Sequence, residues 1–599
     1  MLLEALYRLH DRLEKDERYG LPRSGRSIQK IGIIVVLRPD GTLVNLELLE
    51  KPRPVEVLGI TKPSGSGINP CFLWDSTLYA LAWVKEGIAK REEELVRAQK
   101  TFERFREYHW KVRQEIRVPA YEAVCAFLED WSQEKALAHP ALQEYGTGFV
   151  VFQVRGETQF VHQDPRIQEW WDRRTGGDPE HMKAWWNAKA NIEGVTGTCL
   201  VTGRNGRLAR LHDKIKGVAG AQSSGAALVA FNRAAFKSYG LSQSFNAPVA
   251  EDVARKCVLS LNALLSGPLR GRHRVVVGDV TAVFWTEEET DMEDVFAAIV
   301  GDPAWKGEES QAPATLARVR EVLEARRQGR DAGGSLPLGE RFHLVGLGAP
   351  TPARVAVRFH VTGSLQVLLR HLRSHLRDTQ MERERRRKES FLSLKMLAKA
   401  PAGPKETVAA PLLSGLFEAV FSGRRYPDGL YRKVLDRLRT ESSARGPGVD
   451  WPRAAMIRAY LVRNRGKEVP MTLDKDRPDV PYRLGRLFAA LEKTQQDALG
   501  KGIGATIRDR FYGSASVTPA VVFPRLLRVY QHHLAKLEGG RKINREKLVQ
   551  EILDGVDAFP RHLDLDGQGM FALGYYHQKN DLYRVRTDDA ETAGAGEED

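Results

Sequence analysis

One stretch near the middle of this chain sets the tightest limit on what it can fold into. It runs from Cys199 to Gly225: Cys-Leu-Val-Thr-Gly-Arg-Asn-Gly-Arg-Leu-Ala-Arg-Leu-His-Asp-Lys-Ile-Lys-Gly-Val-Ala-Gly-Ala-Gln-Ser-Ser-Gly. Gly, Ser, Asn and Gln are packed together with Arg and Lys, and Asp213 is the one carboxylate between Gly203 and Gly225. Such a segment is a poor hydrophobic core. It exposes backbone N–H groups, short hydroxyls and cations together, which is the chemistry of a surface that meets phosphates and groove edges.

The rest of the composition agrees with a large, basic, folded protein. At 599 residues the chain has room for several cores. Its net charge of +14 suits contact with a polyanion, because each neutralised phosphate releases condensed counterions. A merely soluble basic protein would have the same charge. The four cysteines, Cys71, Cys125, Cys199 and Cys257, form no C-x-x-C pair, so a zinc or redox motif has no support. They suit a reducing cytoplasm, and we expect a cytoplasmic protein without a cofactor or metal. The start has Glu4 inside its apolar stretch and reads as an amphipathic helix. No apolar run approaches the ~18–20 residues that span a bilayer.

The pattern along the chain predicts an α+β fold: mixed α/β N-terminal and central regions, then a helical-bundle C-terminal region. Four regions are expected: an α+β region over 1–184, the Gly-rich recognition region over 185–345, a mixed then helical connection over 346–470, and a helical bundle over 471–599 with an acidic tail at 587–599. Lys30–Leu37 reads as a buried strand, turned by Pro39-Asp-Gly41 into a return strand over Thr42–Leu48. Leu78–Tyr108 reads as one long charged helix and Pro119–Trp131 as another. Thr147–Val154 and Gln159–His162 read as a hairpin. Arg274–Val277, Val280–Thr286, Arg341–Gly346 and Arg354–His360 look strand-like, and Ala314–Arg327 helical. Beyond Leu365 nearly everything carries helical periodicity.

Several motifs fail on spacing. No Lys-Ser or Lys-Thr follows Gly225, so Gly217–Gly225 is not a Walker loop. Gly220-Ala-Gln-Ser-Ser-Gly225 has the wrong spacing for a serine-hydrolase elbow. Asp564-Leu-Asp566-Gly-Gln568 begins like a calcium loop, but the position of the bidentate Glu falls on Tyr575, so turn chemistry is the better account. Lys62–Asn69 is a second candidate contact loop, with Lys62 for a phosphate, Gly65 for close approach and Asn69 for a base edge; a partnerless surface turn fits it equally well. The Arg-rich run Leu369–Lys388 reads first as a solvated helical face. Scattered acids such as Asp75, Asp213 and Asp279 keep open a metal-dependent nuclease, and a purely structural RNA scaffold is a further alternative.

The Gly-rich stretch and its sequel also carry a family pattern. Cys199–Gly203, Arg210–Ala226, Ala230-Phe-Asn232, Ser238-Tyr-Gly240, Asn246-Ala-Pro248 and Phe284-Trp285 resemble the large subunit of the type I-C CRISPR surveillance complex, Cascade. Met1–Tyr7, Lys30–Leu37 and Phe72-Leu-Trp-Asp75 match its start, and Phe571–Gln578 its end. Where the family has a serine this chain has Ala230, and where the family reads P-N-F-L it reads Asn69-Pro-Cys-Phe72.

The resemblance implies a non-enzymatic DNA-recognition subunit of an RNA-guided antiviral complex. Such a subunit reads a protospacer-adjacent motif in duplex DNA, promotes strand separation and R-loop formation, and supports recruitment of a helicase-nuclease. Its partners would be the guide-RNA-containing backbone and guide-capping subunits, a small subunit, the target duplex with its displaced strand, and the recruited helicase-nuclease, with no membrane. Gln222, Ser223, Ser224 and Gly225, with Asn69 and Gly65, are the candidate motif readers, because small donors on a slim backbone reach a minor-groove floor. Arg204, Arg207, Arg210, Lys214, Lys216 and Lys62 are assigned to phosphates. Arg483, Arg486, Arg508, Arg510, Arg525 and Arg528 are assigned to the displaced strand.

The resemblance also implies that a small subunit can be made by internal translation of the same gene. Lys467-Glu468-Val469 can be encoded AAG-GAG-GTN, a strong ribosome-binding sequence, shortly before Met471. Mass spectrometry of complex expressed from this gene and its neighbours should show a short C-terminal polypeptide. It should vanish when Lys467–Val469 are recoded synonymously and Met471 is replaced by Leu; its absence from the original would remove Met471 as a start.

Overall fold

The computed structural model describes residues 2–23, 25–59, 68–87, 91–145, 147–175, 195–290, 292–300, 339–384, 392–403, 406–441, 448–500 and 505–583. The expected helix Ala314–Arg327 and the acidic tail lie outside them. The chain divides into two compact units: an N-terminal unit of Leu13–Thr198 with Arg204–Leu208, and a larger unit of Met1–Arg12, Cys199–Gly203 and Ala209–Asp599.

The N-terminal unit is built on a four-stranded sheet of order β2-β1-β4-β3, with β1 Arg26–Leu37, β2 Leu43–Leu58, β3 Trp74–Ser76 and β4 Phe149–Val154. The apolar run in β1 is continuous because both faces of the strand are covered. Side chains alternate across a strand. Ile33, Val35 and Leu37 therefore enter one core, with Val150 and Phe152 of β4 and with Phe102, Phe105, Tyr121 and Val124 of helices Arg91–Arg113 and Pro119–Asp130. Ile34, Val57, Trp74 and Val151 fill a second core on the opposite face. Two short strands of the same unit, β5 Thr196–Thr198 and β6 Asn205–Arg207, pair with each other.

Two sequence expectations are corrected here. Thr147–Val154 and Gln159–His162 do not pair as a hairpin. β4 instead runs parallel to β1, with Ile31 opposite Phe149 and Leu37 opposite Val154, while Val161–Gln163 forms a 3₁₀ turn. A strand apolar on both faces gains more from an interior position than from an edge. Leu78–Tyr108 is not one helix either. A short helix over Thr77–Ala80 stops at Leu81, Ala82 takes a left-handed φ of 54°, and helical structure is described again over Arg91–Arg113. Here tertiary bonds override local periodicity: the indole of Trp131 donates to the Leu81 carbonyl at 3.0 Å, and the Gln133 amide donates to the Ala82 carbonyl at 3.4 Å.

The larger unit has an antiparallel sheet of order β10-β9-β8-β7, from β7 Arg274–Val277, β8 Val280–Thr286, β9 Arg341–Thr351 and β10 Arg354–Ser364. Ala282 and Phe284, with Phe342, Leu344, Phe359 and Val361, present one face to the helices, where Phe359 stacks on Phe417 of helix Ala410–Ser422 with ring centroids 5.2 Å apart. Thr281, Val283 and Trp285 alternate to the other face. The amphipathic N-terminal helix Leu2–Glu14 buries Leu6 and Leu9, and within this unit the Leu3 carbonyl accepts from the Cys257 thiol at 3.0 Å.

The helices from Leu365 to Leu582 share one apolar core with that sheet. A very close crossing joins Val480–Leu499 and Leu565–Leu582. A Cβ added at Gly485 would overlap the Phe571 carbonyl oxygen, and one added at Gly574 would overlap that of Tyr482. Asp564, read from sequence as a turn former, caps the second of these helices by accepting the Gly567 N–H at 2.7 Å. Among the described residues no helix is long and apolar enough to cross a membrane.

Because the crossing has no room for a methyl group, Gly485→Ala is expected to destabilise the chain by about 1–3 kcal/mol. Gly540, at the start of helix Gly539–Leu553, has open space where its Cβ would sit. Gly540→Ala should therefore stabilise by about 0.4–1 kcal/mol. Thermal unfolding of the two variants beside the parent chain checks both signs.

Candidate nucleic-acid interface

A segment rich in glycine and polar residues cannot bury enough of itself to hold a shape. In the larger unit it borrows its shape from three elements. Ile215 and Ala226 bridge each other across the base of the loop, each N–H donating to the other's carbonyl at 2.8 Å. Asn262, on helix Glu251–Ser266, clamps one side: its Oδ1 accepts the Lys216 N–H at 2.8 Å, and its Nδ2 donates to the Lys214 carbonyl at 3.1 Å. The Thr281 hydroxyl, on the β8 face opposite Ala282 and Phe284, accepts the Ala219 N–H at 3.0 Å. The tip of the β9–β10 hairpin takes the other side, where the Pro352 carbonyl accepts the Gln222 N–H at 2.8 Å and the Ala353 carbonyl accepts the Ala227 N–H at 3.0 Å.

The pinned loop presents Gln222, Ser223 and Ser224 exposed at its tip, with exposed Lys214 and Lys216 on its approach. The Gln222 side-chain amide donates back to the Gly225 carbonyl at 2.8 Å, which leaves its Oε1 as the acceptor end of the group. Gly225 itself is buried and cannot touch a ligand by a side chain. Its φ of +91° and the 2.8 Å that would separate an added Cβ from the Lys214 Cβ make it the residue that lets the loop close. His212 is held below the usual imidazole range by burial, which outweighs the pull of Asp213, so near neutral pH it adds no positive charge to the lysines.

Motifs separated in sequence meet around this loop. The Cys199–Gly203 turn closes on itself, Gly203 N–H to Cys199 carbonyl at 2.8 Å, and Leu200 donates to the Pro248 carbonyl at 2.9 Å. The Arg354 guanidinium donates to the Ala230 carbonyl at 3.3 Å and to the Asn232 side chain. Arg210 bonds the Gln243 side chain at 3.1 Å and accepts the Ser244 N–H on its carbonyl. Sequence reasoning missed Arg354 and Thr281, whose strand context carries no sign that they hold a distant loop.

The other candidate residues divide by location and burial. Arg204 and Arg207 belong to the N-terminal unit, where Asn205–Arg207 pairs with Thr196–Thr198. Asn69 is in the same unit, half-buried, with its N–H directed to the Tyr79 hydroxyl at 3.4 Å. Lys62 and Gly65 lie outside the described residues.

Among the C-terminal arginines, Arg486 and Arg508 are corrected. Arg486 is fully buried and donates to the Lys475 carbonyl at 2.7 Å, the Glu551 carboxylate at 2.9 Å and the Gln578 side chain at 3.1 Å. Arg508 is 7% exposed and lies 4.0 Å from the carboxylate of Glu441, which also holds Arg453. Their charge is spent inside the fold, because a buried cation needs full pairing. Arg510, Arg525 and Arg528 are exposed, Arg525 lies over the Phe511 ring at 5.3 Å, and the half-buried Arg483 donates to the Arg477 carbonyl at 2.8 Å. Met471 is 44% exposed, and its carbonyl accepts the Glu382 N–H at 2.8 Å.

Asp75 is buried and accepts the N–H groups of Cys71 at 2.9 Å and Ser76 at 2.7 Å. Among the described residues, Asp75, Asp213 and Asp279 belong to no cluster of three side chains placed to hold a metal ion.

The family model described as CRISPR-associated protein (Cas_Csd1) matches residues 6–583. No curated protein matches the chain.

The clamp makes a direct prediction. Asn262→Ala removes both side-chain bonds to the loop, each worth about 0.5–1.5 kcal/mol net. Hydrogen exchange read by mass spectrometry should show faster exchange at Lys216 and its neighbours, with β8 and β9 unchanged.

Proposed function

From the premise that the chain belongs to the Cas_Csd1 family, the large-subunit family of the type I-C Cascade complex, we propose that it is the subunit that reads the adjacent motif in duplex DNA. The observation that carries this reading is the pinned loop: Gln222, Ser223 and Ser224 are exposed together on a backbone held from three sides, with Lys214 and Lys216 beside them. Pre-organisation matters because a loop ordered only on binding would lose part of its contact energy to entropy. Small donors and acceptors on a slim loop suit the floor of the minor groove, where the guanine amino group and the base acceptors are presented. Arg210 adds a phosphate contact; in the N-terminal unit, taken by itself, Asn69 is the proposed base-reading group and Arg204 and Arg207 the proposed phosphate contacts.

In this reading the subunit holds the duplex, promotes opening and passes the displaced strand to the exposed cations Arg510, Arg525 and Arg528 and to the half-buried Arg483. Base pairing with the guide supplies the long sequence choice. The family is one of non-catalytic Cascade subunits, and cleavage falls to a recruited helicase-nuclease.

The structure also shapes the internal-product reading. Within this chain the helices after Met471 are not self-contained. The Tyr431 hydroxyl donates to the Leu565 carbonyl at 2.7 Å, the Tyr576 hydroxyl donates to the Glu382 carbonyl at 2.7 Å, and a Cβ at Gly569 would meet Ile457 at 3.2 Å. A separate Met471–Asp599 polypeptide therefore leaves an apolar face uncovered and belongs in the assembled complex rather than free.

Replacing Gln222, Ser223 and Ser224 together with Ala should weaken binding of the assembled complex to motif-bearing duplex far more than to pre-opened target; one good direct contact is worth about 1–3 kcal/mol of discrimination. Equal losses on both targets would remove the loop as a motif reader. Lys214→Ala and Lys216→Ala should instead weaken binding on every motif sequence and flatten the salt dependence by about one unit each; altered preference at a single base would overturn the phosphate assignment. Incubation of labelled DNA with magnesium or manganese separates the alternatives. A nuclease yields cut products, and a scaffold retains guide RNA without motif preference.

A further inference from the structure

Tyr239 is 99% exposed, more than any other large hydrophobic side chain among the described residues, and its φ is +52°. An aromatic residue in the left-handed region is strained, and strain of this kind persists only where surrounding bonds enforce it. Those bonds are present. Asn246 accepts the Ser238 N–H on Oδ1 at 2.7 Å and donates through Nδ2 to the carbonyls of Leu241 at 3.1 Å and Gln243 at 2.9 Å. The Leu241 N–H closes the turn onto the Ser238 carbonyl at 2.9 Å, and Arg210 ties Gln243 to the segment that leads into the Gly-rich loop. The fold thus spends several hydrogen bonds to hold one ring out in solvent.

The surroundings identify what the ring would meet. Tyr239 stands between Ser238 and Gly240, with exposed Lys237 and Arg233 close by in sequence, and it is far more open than its apolar sequence neighbours Phe236 and Leu241, which are 43% and 44% exposed. Phe236 is already engaged, with the Arg354 guanidinium over its ring at 5.2 Å. A fully open ring flanked by cations matches an unstacked nucleobase and its phosphate: stacking needs one flat face and no sequence choice, and an aromatic wedge can separate adjacent base steps.

Resting on the DNA-recognition reading above, we propose that Tyr239 is a stacking platform for the first unpaired DNA base, held ready by Asn246 at the point where the duplex opens.

The test uses the assembled complex and motif-bearing DNA. Tyr239→Ala should slow opening of fully paired duplex about tenfold or more. Tyr239→Phe, which keeps the ring, should open it at the parent rate. A target already mismatched at its first positions should open equally well with all three proteins. 5-Iododeoxyuridine at the first unpaired position should photocrosslink to Tyr239 and not to a distant residue. A Tyr239→Ala complex that opens paired duplex normally, shows the same loss on pre-opened target, or loses a subunit on purification would overturn the proposal; the last outcome would assign the ring to a protein contact. Parent complex that binds duplex without regard to the motif would instead sink the DNA-recognition reading itself, so the two failures are distinguishable.

Discussion

A loop made of glycine, serine and glutamine has almost no apolar surface to hide, and everything else about the candidate interface follows from how the fold compensates for that. The larger unit supplies the missing order through hydrogen bonds from elements that have cores of their own. Asn262 lies on a helix whose apolar face is buried, Thr281 on a strand whose alternate residues are packed under helices, and Pro352 at the tip of a hairpin anchored by Phe342 and Phe359. Each anchor is rigid because its neighbours are packed, so the loop inherits rigidity without a core. The division of labour is chemically sensible: packing surfaces face the helices, and the polar segment occupies the surface left over.

The same principle sorts the cations. Net charge alone treats all arginines alike, but burial separates them into two working populations. Arg453, Arg486 and Arg508 are inside, each facing carboxylates or carbonyls, and their value lies in joining helices. Glu441 illustrates the balance. Burial alone would raise its carboxyl, yet the bonds from Arg453, Arg437 and the Gly448 N–H hold it below the usual glutamate range. Lys214, Lys216, Arg510, Arg525 and Arg528 remain on the surface, where a cation is available to a phosphate.

The family's motifs take on physical meaning once they are seen together. Cys199–Gly203 and Asn246-Ala-Pro248 are neighbours through the bond from Leu200 to Pro248; Arg210 reaches the loop of Ser238-Tyr-Gly240 through Gln243; and Phe284-Trp285 lies on the strand that supplies Thr281. A stretch of short motifs, each unremarkable alone, is one assembly of loops fastened to a sheet.

The sequence by itself determined the class of fold, the strands β7 to β10 near their observed positions, the helical C-terminal region, and the Gly-rich segment as the place where chemistry is exposed. These are local properties: period-2 and period-3.6 apolar patterns and the density of glycine are written in adjacent residues. Tertiary structure alone decided what depends on partners far away in the chain. It turned β4 away from a hairpin and into a parallel pair with β1, because a strand apolar on both faces must be enclosed. It broke Leu78–Tyr108, where bonds from Trp131 and Gln133 outweighed helical propensity. It buried Arg486 while leaving Arg525 exposed, although the two are equally basic in sequence. It also chose Asn262, Thr281 and Arg354 as the fasteners of the loop, since a hydrogen bond between residues tens of positions apart has no signature in either residue's neighbours.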